Sequence, residues 1–276
     1  MAESPLPELA TPLCGQVQAL VWHRDPGSSA QLRSWTLERQ RLPAVSSAQQ
    51  RAILGAPWLA EVSEEAREAL MAAVHVSKVR AGELVLNQGE LAGSWYGVAS
   101  GAVRLSSLSA SGRQLTFSMV APGEWFGESS ALGGVAEPCS AHAQVDSALV
   151  VLPLDALRRL MRSHEDLRHA LLCWSAARQR AWMAAVLEAA TAPLSQRLAL
   201  RLLDLGRRFG QPQGEGFALS LPLTQTDLAQ LVATSRQRLN EGMQDLRRAG
   251  VLDTQDGPIS VLSTVALQQR AGIVRA

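Results

Sequence analysis

The chain has 276 residues, of which 47% are hydrophobic and 18% are charged, so it is long enough for two domains with sizeable cores. Its formal net charge is only +1, so overall basicity does not point to nucleic acid. No apolar run approaches the roughly 18–20 residues that cross a bilayer. The start MAESPLPELA also lacks the basic-then-apolar order of a signal peptide. We therefore expect a cytoplasmic protein with no membrane partner.

The first 52 residues are predicted to form a flexible N-terminal extension. They hold Pro5, Pro7, Pro12, Pro26 and Pro43 together with serine-rich patches, and they have no sustained hydrophobic period. No function can be assigned to this segment from its residues.

A region rich in short β-type runs follows a helix predicted over residues 63–74, which begins with Ser63 as a cap. The runs, separated by glycines, are residues 79–86, 95–105, 113–120, 141–145 and 148–152. Many short strands with glycine corners predict an antiparallel, jelly-roll-like β-roll. A short helix over residues 154–161 is predicted to close it.

A long helix is predicted over residues 164–190, and Pro193 ends it. Its apolar seam is narrow and alternates small with larger residues, which suits a partner helix at close range. The seam consists of Leu167, Leu171, Trp174, Arg178, Ala181 and Ala185. A further helix is predicted over residues 194–206, followed by a loop over residues 210–216.

The stretch LTQTDLAQLVATSRQRLNEGMQDLRRAGVL, residues 223–252, predicts two helices joined by a tight turn. Thr224 and Asp227 form a capping pair for the first helix, and Ser235 caps the second. In the second helix an apolar face of Leu239, Met243 and Leu246 lies opposite a polar first turn. An ordinary αα-hairpin in a bundle would read in the same way.

Two features beyond this stretch favour DNA recognition. Residues 251–253 and 259–262 flank Asp256-Gly257, a strong two-residue hairpin signal, and a hairpin after a helix-turn-helix is the winged variant. From Pro193 onward, ten arginines stand against seven acids, which gives this part of the chain a net charge of +3.

The order of elements resembles the bacterial Crp–Fnr transcription regulators over roughly residues 53–265. The resemblance is carried by the roll glycines, by PGEWFGESSALGG (residues 122–134) and by the helix-turn-helix stretch. It implies an α+β protein with an antiparallel β-roll sensor, a long dimerisation helix and a C-terminal winged helix-turn-helix. The implied boundaries are 1–52 for the extension, 53–163 for the sensor, 164–192 for the dimerisation helix and 193–276 for the DNA-binding domain.

The same resemblance implies an effector pocket in the roll. Family members bind a cyclic nucleotide after a Gly-Glu pair, matched here by Gly127-Glu128, and an arginine neutralises the phosphate. The sequence has Cys139 in the place of that arginine, with Glu137 two residues before it. A neutral thiol cannot make the charge-assisted contact that a phosphate requires.

Two bulky residues of the long helix also depart from the family pattern. Trp182 and Met183 fall where small hydroxyl residues contact adenine in the family, and they are large enough to fill the pocket. Both departures argue against cyclic AMP and favour a different effector or none. The candidate pocket residues are Gly127, Glu128, Ser129, Ser130, Cys139, Ser140, Trp182 and Met183.

On the helix-turn-helix, the resemblance assigns base contacts to Arg236, Gln237 and Glu241, because a recognition helix presents its first turns to the major groove. Thr226, Ser235 and Arg238 are candidate phosphate contacts. Asn240 is a further DNA-binding candidate that could equally be a solvated surface residue.

Metal, redox and catalytic alternatives have weaker support. Cys14, Cys139 and Cys173 are far apart, which argues against a disulfide framework and fits a reducing compartment. The spacings of Cys139 with His142 and of His169 with Cys173 can chelate a metal, but two ligands do not make a site. No motif supports haem ligation by His75 or Cys139, which stays open. No nucleophile–base pattern indicates an enzyme, and we expect neither a metal nor a cofactor.

The sequence therefore predicts a homodimer, formed through residues 164–190, that places two recognition helices on a pseudo-palindromic operator in double-stranded DNA. RNA polymerase would be a further partner if the protein activates transcription. The alternative is a ligand-sensing or scaffolding protein that uses its helix-turn-helix as a protein interface.

Overall fold

The computed structural model describes residues 46–47, 53–110, 112–253 and 257–273. All of these belong to one compact unit, Arg39–Ala276. The predicted extension, residues 1–52, lies outside the described residues apart from residues 46–47. Asp256, in the predicted turn of the wing, also lies outside them.

The first part of the described chain is the predicted antiparallel roll, with two four-stranded sheets ordered β1-β8-β3-β6 and β2-β7-β4-β5. Every strand pair in these sheets is antiparallel. The strands are His75–Val79 (β1), Leu84–Leu86 (β2), Ser94–Ser100 (β3), Val103–Leu108 (β4), Gln114–Val120 (β5), Trp125–Phe126 (β6), Ser140–Ala143 (β7) and Ser147–Pro153 (β8).

Two of the predicted strands were wrong in extent, and each is divided by a turn. The run predicted over residues 79–86 is broken where the Glu83 N–H donates to the Arg80 carbonyl at 3.0 Å, so β1 lies earlier in the chain and β2 is short. The run predicted over residues 95–105 turns at Gly101, which has φ 85°. A Cβ there would lie 2.7 Å from the Asp146 carbonyl oxygen, so this turn requires glycine.

Four tryptophan rings pack against one another in tilted and edge-on arrangements. The Trp95 ring centroid lies 4.4 Å from that of Trp125, 5.3 Å from that of Trp58 and 5.4 Å from that of Trp174. Trp58 comes from the 3₁₀ turn Pro57–Leu59 before the roll, and Trp174 comes from the long helix after it. The cluster therefore joins both flanks of the roll to its core.

The helices predicted over residues 63–74, 154–161 and 164–190 are present with small changes in their bounds, and one further short helix was not predicted. They are Glu64–Ala73 (α1), capped by Ser63, a short turn of helix Glu128–Gly133 (α2), Leu154–Ser163 (α3) and the long helix Glu165–Thr191 (α4).

The predicted seam of the long helix was wrong in its first half. Leu167 and Leu171 are buried in the chain's own core, Trp174 packs beside Trp95, and Arg178 faces the roll. A period of 3.6 residues identifies an apolar face but cannot tell whether the roll or a partner covers it. A different face of α4 is exposed.

The C-terminal part begins with Leu194–Phe209 (α5) and contains the helix pair Gln225–Leu231 (α6) and Arg236–Arg248 (α7), followed by Thr264–Arg270 (α8). Its sheet has the order β11-β12-β10-β9. The strands are Gly210–Gln213 (β9), Gly216–Leu219 (β10), Leu252–Asp253 (β11) and Ser260–Val261 (β12).

The prediction of a loop over residues 210–216 was wrong, because most of this segment pairs in the sheet. Phe217 lies opposite Pro212 on one side and opposite Val261 on the other. A Cβ at Gly216 would lie 1.8 Å from the Val261 carbonyl oxygen, so glycine permits the close approach of the wing strand. Composition indicated a loop, but this tertiary pairing makes it a strand.

Candidate nucleic-acid interface and sensor cavity

The turn between α6 and α7 is built by local caps. The Thr224 hydroxyl accepts from the Asp227 N–H at 3.1 Å, and the Asp227 carboxylate accepts from the Thr224 N–H at 2.8 Å, which completes a capping box. Ala233 has φ 53°, and the Thr234 N–H donates to the Ala229 carbonyl at 2.9 Å. The Ser235 hydroxyl then accepts from the Arg238 N–H and starts α7.

The second helix of the pair, α7, has a buried face and an exposed polar face. Leu239, Met243 and Leu246 are buried in the C-terminal core, as predicted. The predicted DNA-contacting residues Thr226, Ser235, Arg236, Gln237, Arg238 and Glu241 are exposed, and Asn240 is half-buried.

Two long hydrogen bonds connect side chains on the exposed face. The Arg236 Nε donates to Gln225 Oε1 at 3.4 Å, and the Gln237 amide donates to Glu241 Oε1 at 3.5 Å. These long, solvent-facing bonds are easily exchanged for contacts to another molecule. The structure thus places the predicted base-reading set on a single accessible surface.

The wing lies directly behind α7. Leu252 pairs with Val261 and Asp253 pairs with Ser260 in antiparallel register. The same Val261 pairs with Phe217, so the wing strand is built into the four-stranded sheet. The winged helix-turn-helix predicted from the sequence is confirmed.

A cavity of about 710 Å³ lies between the roll and the long helix α4. Its walls on the roll side come from strands β2, β4 and β6, from the start of α2 and from residues 137–139. Its other wall is one face of α4 from Ser175 to Ala190.

Six of the eight predicted pocket residues line this cavity, namely Gly127, Glu128, Ser129, Cys139, Trp182 and Met183. Ser130 and Ser140 do not line it, because their hydroxyls form hydrogen bonds with backbone groups. Ser130 Oγ accepts from the Ala92 N–H and donates to the Val135 carbonyl, while Ser140 Oγ accepts from the Gln88 N–H. Trp182 and Met183 line the cavity without filling it, and the Trp182 ring packs edge-on against Phe117 at 5.3 Å.

The sequence reading missed Arg178 as a pocket residue and assigned it to the dimer seam. Its Nε donates to Glu128 Oε1 at 2.8 Å, and its guanidinium carbon lies 5.0 Å from the Trp174 ring centroid. A guanidinium therefore reaches the cavity from the helix, although the position that holds arginine in the family is Cys139. An arginine four residues after a tryptophan on one helix face was the available signal.

Burial shifts the ionisation of two further groups in the cavity wall. It raises the pKa of the Glu137 carboxyl above 4.5, while the hydrogen bond from the Ser130 N–H opposes this rise. Burial, with the nearby charges of Glu137 and Glu128, raises the pKa of the Cys139 thiol to about 12. Cys139 is therefore an uncharged thiol at neutral pH.

Of the two pairs with chelating spacing, His169 and Cys173 lie close together, with Nε2 and Sγ 3.4 Å apart. His142 lies opposite Arg104 in the β4–β7 pairing. Across the described ranges, no three His, Cys, Asp or Glu side chains form a group that could hold a metal ion. None of the helices in the described part of the chain combines the length and hydropathy needed to cross a membrane.

The roll and the helix-turn-helix are in direct contact. Ala102, Met119 and Ala121 of the roll belong to the same apolar cluster as α5 and α6. The Arg208 guanidinium of α5 donates to the Met119 carbonyl at 2.6 Å, and Thr116 Oγ1 donates to Gln230 Oε1 of α6 at 3.1 Å.

Two family models match the two parts of the chain. A cyclic nucleotide-binding domain matches residues 76–164, and a Crp-like helix-turn-helix domain matches residues 196–270. Among solved structures, FixK2 from Bradyrhizobium japonicum has the same fold, with a TM-score of 0.64 and 22% identity over 71% of this chain and 96% of that chain. A CRP-family transcriptional regulator from Thermus thermophilus has a TM-score of 0.57 and 26% identity, with the same coverage.

Curated relatives extend the likeness across both parts. The CRP-like cAMP-activated global transcriptional regulator of Mycobacterium tuberculosis is 27% identical over 190 residues, which cover 69% of this chain and 85% of that protein. The transcriptional regulator LdrP of Thermus thermophilus is 31% identical over 191 residues, which cover 69% of this chain and 93% of that protein. With both domains matched in this order, the chain belongs to the Crp–Fnr family of DNA-binding transcription regulators.

Proposed function

We propose that the protein regulates transcription as a homodimer on a pseudo-palindromic operator and that its roll responds to an effector other than cyclic AMP. The observation that carries this proposal is the two-sided character of α7. Its apolar face is buried, while Arg236, Gln237 and Glu241 are exposed beside the wing. A recognition helix needs this arrangement to present side chains to base edges in the major groove.

An exposed apolar stripe on α4 supports the homodimer. The stripe contains five apolar residues and one glutamine, at alternating spacings of four and three residues: Leu172, Ala176, Gln179, Met183, Val186 and Ala190. Leu172, Met183 and Val186 are 63%, 66% and 68% exposed. A 4-3 repeat of this kind is the pattern by which two helices pack along a seam. The stripe replaces the seam predicted from Leu167 to Ala185, and we assign it to a second copy of the chain.

These assignments give each part of the chain a separate role. We propose that residues 53–163 are the sensor, 164–192 the dimerisation helix and 193–276 the DNA-binding domain, with 1–52 as an N-terminal extension. If the protein is an activator, RNA polymerase would be a further partner. The boundary at 163 coincides with the end of α3, and the boundary at 192 lies one residue after the end of α4.

The departure from cyclic AMP rests on the chemistry of the cavity. The relative from Mycobacterium tuberculosis is named as cAMP-activated. Here, the position that holds the family's phosphate-binding arginine is Cys139, an uncharged thiol, and the buried Glu137 lies two residues before it. A cyclic phosphate would lose its counter-charge and meet a carboxylate.

Selection of operators from a random DNA library with the purified full-length chain tests this function. We expect an enriched site with two inverted half-sites whose centres lie about 10–10.5 base pairs apart, or a multiple of this. We also expect affinity to fall steeply as salt rises, because phosphate contacts release counterions. Failure to enrich any site, with no salt-dependent binding to duplex DNA, would instead favour a protein interface for the helix-turn-helix.

A second measurement addresses the effector. Titration calorimetry with cyclic AMP and with cyclic GMP should give no saturable binding in the micromolar range. Micromolar affinity for either nucleotide would contradict the reading of Cys139, while leaving DNA recognition intact.

A further inference from the structure

The size and walls of the cavity suit a small organic molecule. Its volume of about 710 Å³ falls inside the range of about 300–1,000 Å³ that is usual for small-molecule sites. Apolar side chains line it from both sides. They are Leu86, Leu105 and Phe126 from the roll and Trp182, Met183 and Leu187 from the helix.

The positive charge of the cavity is already engaged. Arg178 is the only cationic side chain among the described residues that line it. Its Nε donates to Glu128 Oε1 at 2.8 Å, and its guanidinium carbon lies 5.0 Å from the Trp174 ring centroid. A ligand that recruited Arg178 would have to compete with a carboxylate already held in hydrogen-bonding geometry.

A second carboxylate makes the cavity unfavourable to anions. Glu137 is 5% exposed, and its Oε1 accepts from the Ser130 N–H at 2.9 Å. One guanidinium therefore faces two carboxylates, so the net charge of the lining is negative when Glu137 is ionised and zero when it is protonated. In neither state does the site offer an unpaired positive charge to compensate the desolvation of an anion.

Uncharged hydrogen-bonding groups complete the lining. Ser129, Ser175 and Gln179 belong to the wall and carry uncharged hydroxyl or amide groups, and the Cys139 thiol is neutral. Such groups can orient a neutral polar substituent by donating or accepting a hydrogen bond.

Building on the proposed function of the roll as a sensor, we infer that its cavity binds an uncharged, mainly apolar small molecule with one or two hydrogen-bonding groups. The apolar body would lie between the roll and α4, and its polar end would meet Ser129, Ser175 or Gln179. Because Met183 and Val186 belong both to the cavity wall and to the exposed stripe, occupancy would bear directly on the α4 face assigned to the second copy.

A matched pair of fluorescent probes tests this chemistry in the full-length protein. N-phenyl-1-naphthylamine is uncharged, whereas 8-anilinonaphthalene-1-sulfonate has the same ring system with an added sulfonate. We expect the uncharged probe to bind saturably, with one site per chain, and at least about tenfold more tightly than the sulfonate, a difference of about 1.4 kcal/mol. Cyclic AMP should not displace it.

Cys139 provides the variant that locates the binding. Cys139→Arg adds a cation at the family's arginine position, so it should tighten binding of the sulfonate and remove or reverse the tenfold preference. Cys139→Ser keeps a small, neutral side chain and should leave the preference unchanged. If circular dichroism shows that Cys139→Arg does not fold, Glu137→Gln replaces it. At a pH where Glu137 is ionised, that variant removes one negative charge while keeping the acceptor for the Ser130 N–H, and it should narrow the preference severalfold.

Three results would overturn the inference. They are the absence of saturable binding by the uncharged probe, equal or tighter binding of the sulfonate by the native protein, and a preference that no folded charge variant changes. Operator binding is measured separately without probe. If the protein selects an operator but fails these titrations, the regulatory function stands and only this ligand class is wrong. If it binds the uncharged probe but selects no operator, the proposed regulatory function is wrong.

Discussion

Arg104 of the roll and Asp227 of the helix-turn-helix form an ion pair, with Nη1 and Oδ1 3.0 Å apart. The other oxygen of the same carboxylate, Oδ2, accepts from the N–H and the hydroxyl of Thr224, each at 2.8 Å. One side chain therefore caps the first helix of the helix-turn-helix and fixes that motif to the roll. The Asp227 side chain is only 9% exposed, so solvent screens this pair less than an ordinary surface pair.

Replacing Arg104 should loosen the attachment of the helix-turn-helix. We expect Arg104→Met to lower the free energy of unfolding by about 1–3 kcal/mol, because it leaves a mostly buried carboxylate with Thr224 alone. Urea denaturation measures this loss, and amide exchange should rise at the start of α6. Arg104→Lys retains the charge and should lose less. If Arg104→Met matches the native protein in both measurements, the pair does not hold the two parts together.

Arg236 should contribute to base reading. Arg236→Ala is expected to weaken binding to the selected operator by about 1–3 kcal/mol and to relax sequence preference at the base it contacts. Arg248→Ala is the matched control, since Arg248 lies in the last turn of the same helix and pairs with Asp245 at 2.8 Å. Equal effects of the two substitutions would assign Arg236 to general electrostatic attraction, and unchanged binding would remove it from the interface.

A charge on the exposed stripe of α4 should prevent dimerisation. Leu172→Glu places a carboxylate at a position that is 63% exposed in the single chain and does not line the cavity. In the proposed dimer it would be buried without a counter-charge, so light scattering should give the mass of one chain. Ala177→Glu adds the same charge on an exposed part of α4 away from the stripe and should stay dimeric. A dimeric Leu172→Glu variant would place the interface elsewhere.

Glu137 should make stability depend on pH. Burial raises its folded-state pKa above 4.5, so folding favours the protonated carboxyl. This contribution is fully present below pH 4.5 and is lost as the pH rises through the folded-state pKa. We expect Glu137→Gln to flatten the pH profile of urea denaturation above pH 4.5 and to gain stability relative to the native protein as the pH rises. Parallel profiles for the two proteins would contradict this effect.

Local chemistry made the helix-turn-helix predictable. The caps at Thr224 and Ser235 act within three residues, and the buried positions of α7 follow a helical period. Four of the six confirmed pocket residues could likewise be placed from a motif, whereas Trp182 and Met183 were placed from their positions on the long helix. The segment from Gly127 to Cys139 contributes its lining residues close together in the chain, so the motif marks their common place in the fold.

The errors arose where distant parts of the chain meet. The Gly- and Pro-rich segment after α5 forms strands because Phe217 pairs with Val261 of the wing on one side and with Pro212 on the other. Ser130 and Ser140 were placed in the pocket, but the backbone N–H groups of Ala92 and Gln88 engage their hydroxyls. Arg178 was placed on a dimer seam, but the roll presents Glu128 to it.

The sequence by itself determined the order of the roll, the long helix and the helix-turn-helix, the caps that begin α6 and α7, and the polar face of α7, because caps and hydrophobic periods act over a few residues. Only the tertiary structure decided which face of α4 the roll covers, how Arg178 enters the cavity and how Arg104 of the roll pairs with Asp227. These depend on which surfaces meet in space. Periodicity marks a face as apolar without naming the surface that will cover it, and a charge in sequence does not identify its partner.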